Sequence, residues 1–319
     1  MNNLQLIHLR NFYYSKTFIL LEIVKIARHR ELSFLGSEKN KIRHINAGML
    51  EILQKNMKEF KFIERDFNIY YSLAHLKDNW GVFSYNPMQR KEQSAVFNRN
   101  FDDYFTGYDF SIDFDGNKRF NHSLAIYKNE IVEIVKKQYN NKIIEAFEID
   151  YKGKMLKIKA NEVGELSKEV ILLRAYNDLI FLKKIYDKHK VSYWVTFSGN
   201  RGFHLCVDDE CLPDVKPDDK VKICNKLAVE FQQILNLGTI DTSIYDKRRP
   251  WKMPYSLVNG NVCLSLSDEQ INNFNIEDMK ALNVLKSIKI MNRGLLKRND
   301  ELSLEHKKEN FNDLLREFN

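Results

Sequence analysis

The stretch that most constrains this chain runs from Val191 to Val207: Val-Ser-Tyr-Trp-Val-Thr-Phe, then Ser-Gly-Asn-Arg-Gly-Phe-His-Leu-Cys-Val. Val191, Tyr193, Val195 and Phe197 alternate with Ser192, Trp194 and Thr196. After a polar interval Phe203, Leu205 and Val207 resume the alternation, with His204 and Cys206 on the other face. A period of two is the spacing of a pleated strand, so the stretch reads as strand, turn, strand, with the turn at residues 198–202. Two glycines let a backbone come close to a ligand, and Ser198, Arg201 and His204 carry donors suited to phosphate. A polar hairpin tip has the same composition, so the rest of the chain must decide between the two.

Upstream, Tyr104 to Gly116 reads as an apolar strand that ends in carboxylates and a glycine turn. Alternate side chains of a strand share a face, so Asp113 and Asp115 project together while Phe114 points into the core. Neighbouring carboxylates repel each other, and a divalent cation is the usual stabiliser of such a pair; a solvated strand end is the bland alternative. Downstream, an amphipathic helix from Asp218 to Leu237 delivers Thr239-Ile240-Asp241, followed by a segment dense in phosphate-compatible groups: Tyr245, Lys247, Arg248, Arg249 and Lys252. Pro250 and Pro254 limit pairing there and predict an edge strand or a loop.

The remaining pattern predicts a mostly helical N-terminal part, from Leu4 to Phe34 and again from Lys41 to Phe60, with Arg28, His29 and Arg30 complementing the carbonyls at a helix end. Strand-like pieces follow at Phe67 to Ala74 and Trp80 to Ser84. Beyond the carboxylate strand come a helix from Ser123 to Tyr139, a hairpin of Ile143 to Ile149 with Met155 to Ile158, and a long helix from Val163 to Lys190. From Ser267 onward the chain is helical and charged. Phe311, Leu314, Leu315 and Phe318 form an apolar stripe that packs on the parent domain or docks a protein partner. Strands interleaved with helices predict an α/β (α+β) domain over residues 1–266, comprising a helical N-terminal layer at 1–62 and an α/β core at 63–266, then a helical segment at 267–319.

Of 319 residues, 44% are hydrophobic and 29% charged, and only 12 Gly and 5 Pro are present, which excludes a disordered or low-complexity chain. The apolar run from Phe18 to Ala27 is too short, and too charged at Glu22 and Lys25, to cross a membrane, so a cytoplasmic protein is expected. Cys206, Cys211, Cys224 and Cys263 lack the paired spacing of a structural zinc site or a disulfide framework, so reduced thiols and no structural zinc are expected. The balance of 50 Lys+Arg against 43 Asp+Glu, a net charge of +7, favours an anionic partner.

Three features therefore stand in order: Asp113-Phe114-Asp115, then Ser198-Gly199-Asn200-Arg201-Gly202-Phe203-His204, then Asp241 with its basic strand. This arrangement resembles the archaeo-eukaryotic primase superfamily, whose motifs are an Asp-x-Asp/Glu, a Ser-Gly-x-x-Gly-x-His, and a later Asp followed by basic residues. Lys252-Met253-Pro254-Tyr255-Ser256-Leu257 also looks like the Arg-Leu-Pro-x-Ser-Leu segment of archaeal primase small subunits. Arg30-Glu31 and Tyr70-Tyr71-Ser72 are weakly similar to the family's N-terminal part.

The resemblance implies a catalytic core with an RRM-like sheet. It also implies template-directed nucleotidyl transfer that makes and extends primers on single-stranded DNA from NTPs or dNTPs. Asp113, Asp115 and Asp241 would be the catalytic carboxylates holding two Mg²⁺ or Mn²⁺ ions, and Ser198, Gly199, Asn200, Arg201, His204, Arg248, Arg249 and Lys252 would bind the nucleotide. Residues 116–197 contain no cysteine where replicative small subunits carry a zinc knuckle, and Lys252 stands where the archaeal pattern has Arg. The chain is thus more similar to zinc-free primase-polymerases of plasmids, mobile elements or CRISPR-associated systems. Two other classes share part of the pattern: Asp-x-Asp glycosyltransferases, which do not account for the middle motif or Asp241, and an inactive single-strand-binding module.

Overall fold

The structure is a computed structural model that describes residues 3–36, 41–78, 80, 86–116, 146–151, 154–159, 168–235, 237–287 and 295–318. In chain order, helices α1 (Asn3–Tyr14) and α2 (Thr17–Ala27) precede strands β1 (Arg30–Leu35) and β2 (Lys41–Asn46), helix α3 (Leu50–Glu59) and strand β3 (Asn68–Leu76). Helices α4 (Pro87–Arg99) and α5 (Phe101–Tyr104) lead into β4 (Phe105–Tyr108) and β5 (Phe110–Asp115). A hairpin, β6 (Ala146–Tyr151) and β7 (Lys154–Lys159), comes before α6 (Lys168–Lys188), β8 (Trp194–Phe197), β9 (Gly202–Val207) and α7 (Pro217–Ile234). Strands β10 (Pro250–Lys252), β11 (Leu257–Val258), β12 (Asn261–Val262) and β13 (Leu264–Leu266) are followed by α8 (Asp268–Asn272), α9 (Ala281–Lys286) and α10 (Leu304–Phe318).

The chain is α+β, and two antiparallel sheets position everything that follows. The first has the order β10-β3-β1-β2, with β4 also paired to β3; the second has the order β13-β8-β9-β5. An isolated bridge between Phe114 and Ile240 lays residues 239–241 along the other edge of β5. Counting that segment, the spatial order is 239–241, β5, β9, β8, β13, with α6 preceding β8 in the chain and α7 lying between β9 and residues 239–241. Its apolar face carries Phe110, Ile112 and Phe114 from β5 and Phe203, Leu205 and Val207 from β9, all at 0% exposure. Helices α6 and α7 cover this face, Tyr176 of α6 lying 6.0 Å from Phe203 and Phe231 of α7 meeting Tyr186 of α6 at a tilt of 57°, ring centroids 6.1 Å apart. Burying six such side chains at about 1.5–3 kcal/mol each fixes the register, because a slip of one residue would turn the whole set outward.

The opposite, polar face of this sheet looks toward the first sheet. Trp251 of β10 packs edge-on against His204 of β9 with ring centroids 4.8 Å apart, and Arg30 of β1 pairs with Asp109. The strand expected over residues 104–116 is two strands: β4 belongs to the first sheet and β5 to the second, and the chain crosses at Asp109, whose N–H donates to Leu73 O at 3.0 Å.

The N-terminal part departs from the helical expectation. Arg30–Leu35 and Lys41–Asn46 are strands, so the 1–62 layer is helical only in part. Arg30 does not complement a helix end but sits buried beside Asp109. Pro87–Arg99 is a helix that no sequence expectation covered. The 143–158 hairpin and the 163–190 helix are present in their described parts, whereas the 123–139 helix and residues 81–84 of the second strand-like piece lie outside the described residues. Phe311, Leu314 and Phe318 of α10 are buried against the chain's own core, Phe318 meeting Phe231 of α7 at 4.9 Å, so the stripe is covered by the parent domain. The four cysteines are free and buried. Among the described residues no helix is long and apolar enough to cross a membrane.

Candidate active site

The polar face of the second sheet is read from its registers. Asp113 of β5 stands opposite His204 of β9, which stands opposite Thr196 of β8. On the other side, Asp241 N–H donates to Asp113 O and Asp115 N–H donates to Thr239 O, both at 2.9 Å, so Asp241 is the cross-strand neighbour of Asp113. One transverse row across the sheet is therefore Asp241, Asp113, His204, Thr196. Adjacent positions in such a row bring Cβ atoms within about 5 Å of each other.

The turn between β8 and β9 closes this row at one end. Ser198 N–H donates to Gly202 O at 3.0 Å. Gly199 has φ of +84°, a left-handed conformation that costs a side-chain-bearing residue energy, and Asn261 of β12 braces its carbonyl at 3.3 Å. Gly202 is required for a different reason: a Cβ there would lie 2.0 Å from Phe114 O, so only glycine lets β9 run this close to β5. The two glycines of the motif thus shape the turn and seat it against the carboxylate strand.

Asp113, Asp115, Ser198, Arg201, Gly202 and His204 from the second sheet and its turn, together with Lys252 of β10 and Arg249 just before it, line one open cleft. Tyr70, Ile244, Pro250 and Trp251 complete its wall. Arg201 Nη2 stands 3.6 Å from Asp115 Oδ2, and His204 Nε2 stands 3.7 Å from Asp113 Oδ1, both beyond hydrogen-bond length. Burial, and then the Lys252 ammonium, push the His204 imidazole down to about 3, so the ring is neutral at physiological pH. A neutral imidazole offers one N–H donor, so His204 would contribute a directed hydrogen bond rather than charge. Positive charge in the cleft comes from Arg201, Arg249 and Lys252.

Four expected residues do not line the cleft. Arg248 does not reach the cleft: its guanidinium lies over Phe101 of α5 at 4.9 Å and bonds Asn98 of α4, while its carbonyl accepts from Arg43 at 2.7 Å. Arg248 lies in the turn before β10, closed by Arg249 N–H donating to Asp246 O at 2.9 Å, and Arg249 takes the cleft side. Asp241 is beside Asp113 in the sheet but does not line the cleft; it is 5% exposed, and its Oδ1 accepts from Ser243 N at 3.0 Å and Ser243 Oγ at 2.7 Å, capping the short turn Thr242–Ile244. Gly199 and Asn200 shape the turn without lining the cleft.

Three carboxylates on one sheet edge are an all-oxygen donor set, which suits a hard divalent cation. Among the described residues, however, no three His, Cys, Asp or Glu side chains stand together as a formed ligand cluster. The sequence reading missed Tyr70 and Trp251 as cleft walls. Trp251 was accessible to it, since it alternates with Pro250 and Lys252 in the basic strand already singled out.

No protein-family model matches this chain, and no curated protein does.

Proposed function

We propose that this chain is a primase-polymerase of the archaeo-eukaryotic type, a nucleotidyltransferase that makes or extends primers on a single-stranded DNA template. One observation carries the reading. Residues from three distant segments, around 113–115, 198–204 and 249–252, converge on one cleft with carboxylates at one side and cations at the other. That is the division of labour phosphoryl-type transfer needs: acidic groups for metal ions, basic and hydrogen-bonding groups for the polyphosphate. The second sheet, with its order 239–241, β5, β9, β8, β13 and two helices on the apolar face, is read as the RRM-like unit of that superfamily.

In this reading Asp113, Asp115 and Asp241 would hold two Mg²⁺ or Mn²⁺ ions. Such ions, when bound, lower the pKa of an attacking 3′-hydroxyl and neutralise the triphosphate. The chain's own side chains position the nucleotide. Ser198 and Arg201 donate from the turn, neutral His204 adds a hydrogen bond from the floor, and Arg249 and Lys252 hold the phosphates from the facing sheet. Arg201 leans toward Asp115 and would swing to an incoming phosphate, which attracts it more strongly than a carboxylate at 3.6 Å. Trp251 and Tyr70 give the cleft an aromatic wall.

The test is incorporation of labelled nucleotide on a single-stranded template with Mg²⁺ or Mn²⁺, comparing the wild type with the double variant Asp113→Ala, Asp115→Ala. Synthesis is expected to be lost in the variant while its fold, followed by circular dichroism, is kept. Template-dependent synthesis that survives the double substitution would overturn the proposal.

A further inference from the structure

Asp241 is carried by a short segment joined to β5 through a single isolated bridge, Phe114 with Ile240. Among the described residues, the 239–241 segment makes two backbone hydrogen bonds to β5, Asp115 N to Thr239 O and Asp241 N to Asp113 O. A three-residue edge held by two bonds frays readily. Two side chains from the covering helices take hold of it from behind. Asp178 of α6 accepts at a single oxygen, Oδ2, from Thr239 N at 2.9 Å and from Thr239 Oγ1 at 2.7 Å. Gln232 of α7 donates from Nε2 to Ile240 O at 2.6 Å. The bracket is therefore complete: Thr239 is tied to α6, Ile240 to α7, and Asp241 is the next residue along.

A carboxylate is a costly choice for this task. Burial pushes the Asp178 carboxyl up, and the two Thr239 hydrogen bonds and Arg174 only partly counter it. A purely apolar contact would pack the helix on the sheet without that cost. What the carboxylate adds is direction: it fixes one backbone N–H and one hydroxyl of the same residue at the same oxygen.

We infer that Asp178 is a positioning residue for Asp241, acting through Thr239 to lock the 239–241 segment in register with Asp113, with Gln232 as the second tie. Asp178 itself stays behind the sheet and touches no reacting atom. The catalytic consequence rests on the nucleotidyl-transfer reading; the positioning does not.

Three variants test it: Asp178→Leu, which keeps the branched outline at a larger volume and removes the acceptor; Asp178→Asn, whose amide oxygen can still accept both Thr239 donors; and Thr239→Val, which removes the hydroxyl. The first readout is amide hydrogen exchange in a peptide spanning residues 238–242. Exchange is expected to speed up about tenfold or more in Asp178→Leu, less in Thr239→Val, and to stay within about twofold of wild type in Asp178→Asn. The second is single-stranded-template incorporation, where Asp178→Leu should lower kcat about tenfold with KM for the nucleotide unchanged, and Asp178→Asn should restore it. A residue that merely supports the fold would lower the melting temperature without changing exchange at 238–242 relative to the rest of the sheet, or kcat per folded molecule. Should Asp178→Leu fail to fold, Thr239→Val carries the same exchange test. Unchanged local exchange in the folded variants overturns the positioning role whatever the wild type catalyses. Faster local exchange in a chain whose wild type incorporates nothing keeps the positioning role and removes the nucleotidyl-transfer reading.

Discussion

Replacing Asp109 by Asn should cost about 3 kcal/mol of folding stability, and the structure says why. Asp109 sits at the crossover from the first sheet to the second, at 0% exposure, and its carboxylate takes an ion pair with Arg30, a hydrogen bond with His75 Nε2 at 2.7 Å and another from Asp209 N at 3.0 Å. Arg30 is 7% exposed and lies over the Tyr71 ring at 5.6 Å. Asparagine keeps the volume but leaves a buried guanidinium without its counter-charge, and breaking one side of such a pair costs roughly 3–5 kcal/mol. The low end applies here because Asp208, already paired with Lys297, is close enough to Arg30 to compensate in part. In a double-mutant cycle by urea denaturation, Asp109→Asn and Arg30→Met should each destabilise, and the double variant should be more stable than their sum predicts by about 2 kcal/mol or more. Burial alone would raise the Asp109 carboxyl, but Arg30 and His75 outweigh it and hold it well below the usual carboxylate range. Its folded-state pKa is therefore below the unfolded value of about 3.9, so its contribution is complete above about pH 4 and drains away as pH falls further. The acid limb of the wild-type stability curve should be steeper than that of Asp109→Asn. Additive single costs, or an Asn variant within about 1 kcal/mol of wild type, would refute the reasoning.

Three further outcomes are expected. Gly202→Ala should push β9 from β5, because its Cβ would meet Phe114 O at 2.0 Å; overpacking of this kind costs about 1–3 kcal/mol, read by thermal melting, and should weaken nucleotide binding by calorimetry. The His204 ring, held neutral down to about 3, should show no imidazole titration between pH 5 and 8 in NMR spectra, and a midpoint near the ordinary histidine value would contradict its burial. Arg249→Ala should weaken nucleotide affinity about tenfold or more, the loss of one charge-assisted phosphate contact, whereas Arg248→Ala should leave it within about threefold. Equal effects would mean that Arg248 leaves its ring cluster to join the cleft.

The carboxylate strand and the Ser198–His204 turn were legible because a period of two survives in them unbroken. Phe110, Ile112 and Phe114 face the helices, and Asp113, Asp115 and His204 face the cleft, as alternation requires. The N-terminal strands were not legible because bulges erase that period. Leu32 pairs with Ile45 and Phe34 with Ile42, so three steps on β2 answer two on β1, and His44 takes a φ of +62° at the irregularity. Ile42 and Ile45 are consequently spaced by three, which reads as a helix. His29, at φ of +61°, ends the preceding helix without the glycine that usually announces such a stop. Helix α4 did carry a signal, Asn86 capping Met88 N at 3.0 Å with Pro87 at the first helical position. The segments that left no trace, Asp178 on Thr239 and Gln232 on Ile240, join residues 61 and 8 positions apart, and nothing in local pattern couples them.

Following the alternation back from the cleft explains why one strand serves two ends. Asp115, Asp113, Ser111 and Asp109 occupy successive same-face positions running from the open cleft into the seam between the sheets. At the sealed end Asp109 is fully buried and held by Arg30, with no room for a ligand. Ser111 is bonded to Cys206 at 2.9 Å and fills the middle. At the open end the Asp113 and Asp115 side chains are 26% and 22% exposed and line the cleft, with His204 3.7 Å from Asp113 and Arg201 3.6 Å from Asp115. The same residue type is thus a buried clamp at one end and a cleft-lining group at the other. Burial makes the difference, since a carboxylate sealed from water is held only if a charged donor meets it, whereas one that faces an open cleft keeps access to solvent. The clamp keeps the two sheets facing each other, so Lys252 of β10 and Arg249 just before it stay opposite the carboxylates of β5 at the end where the strand is open.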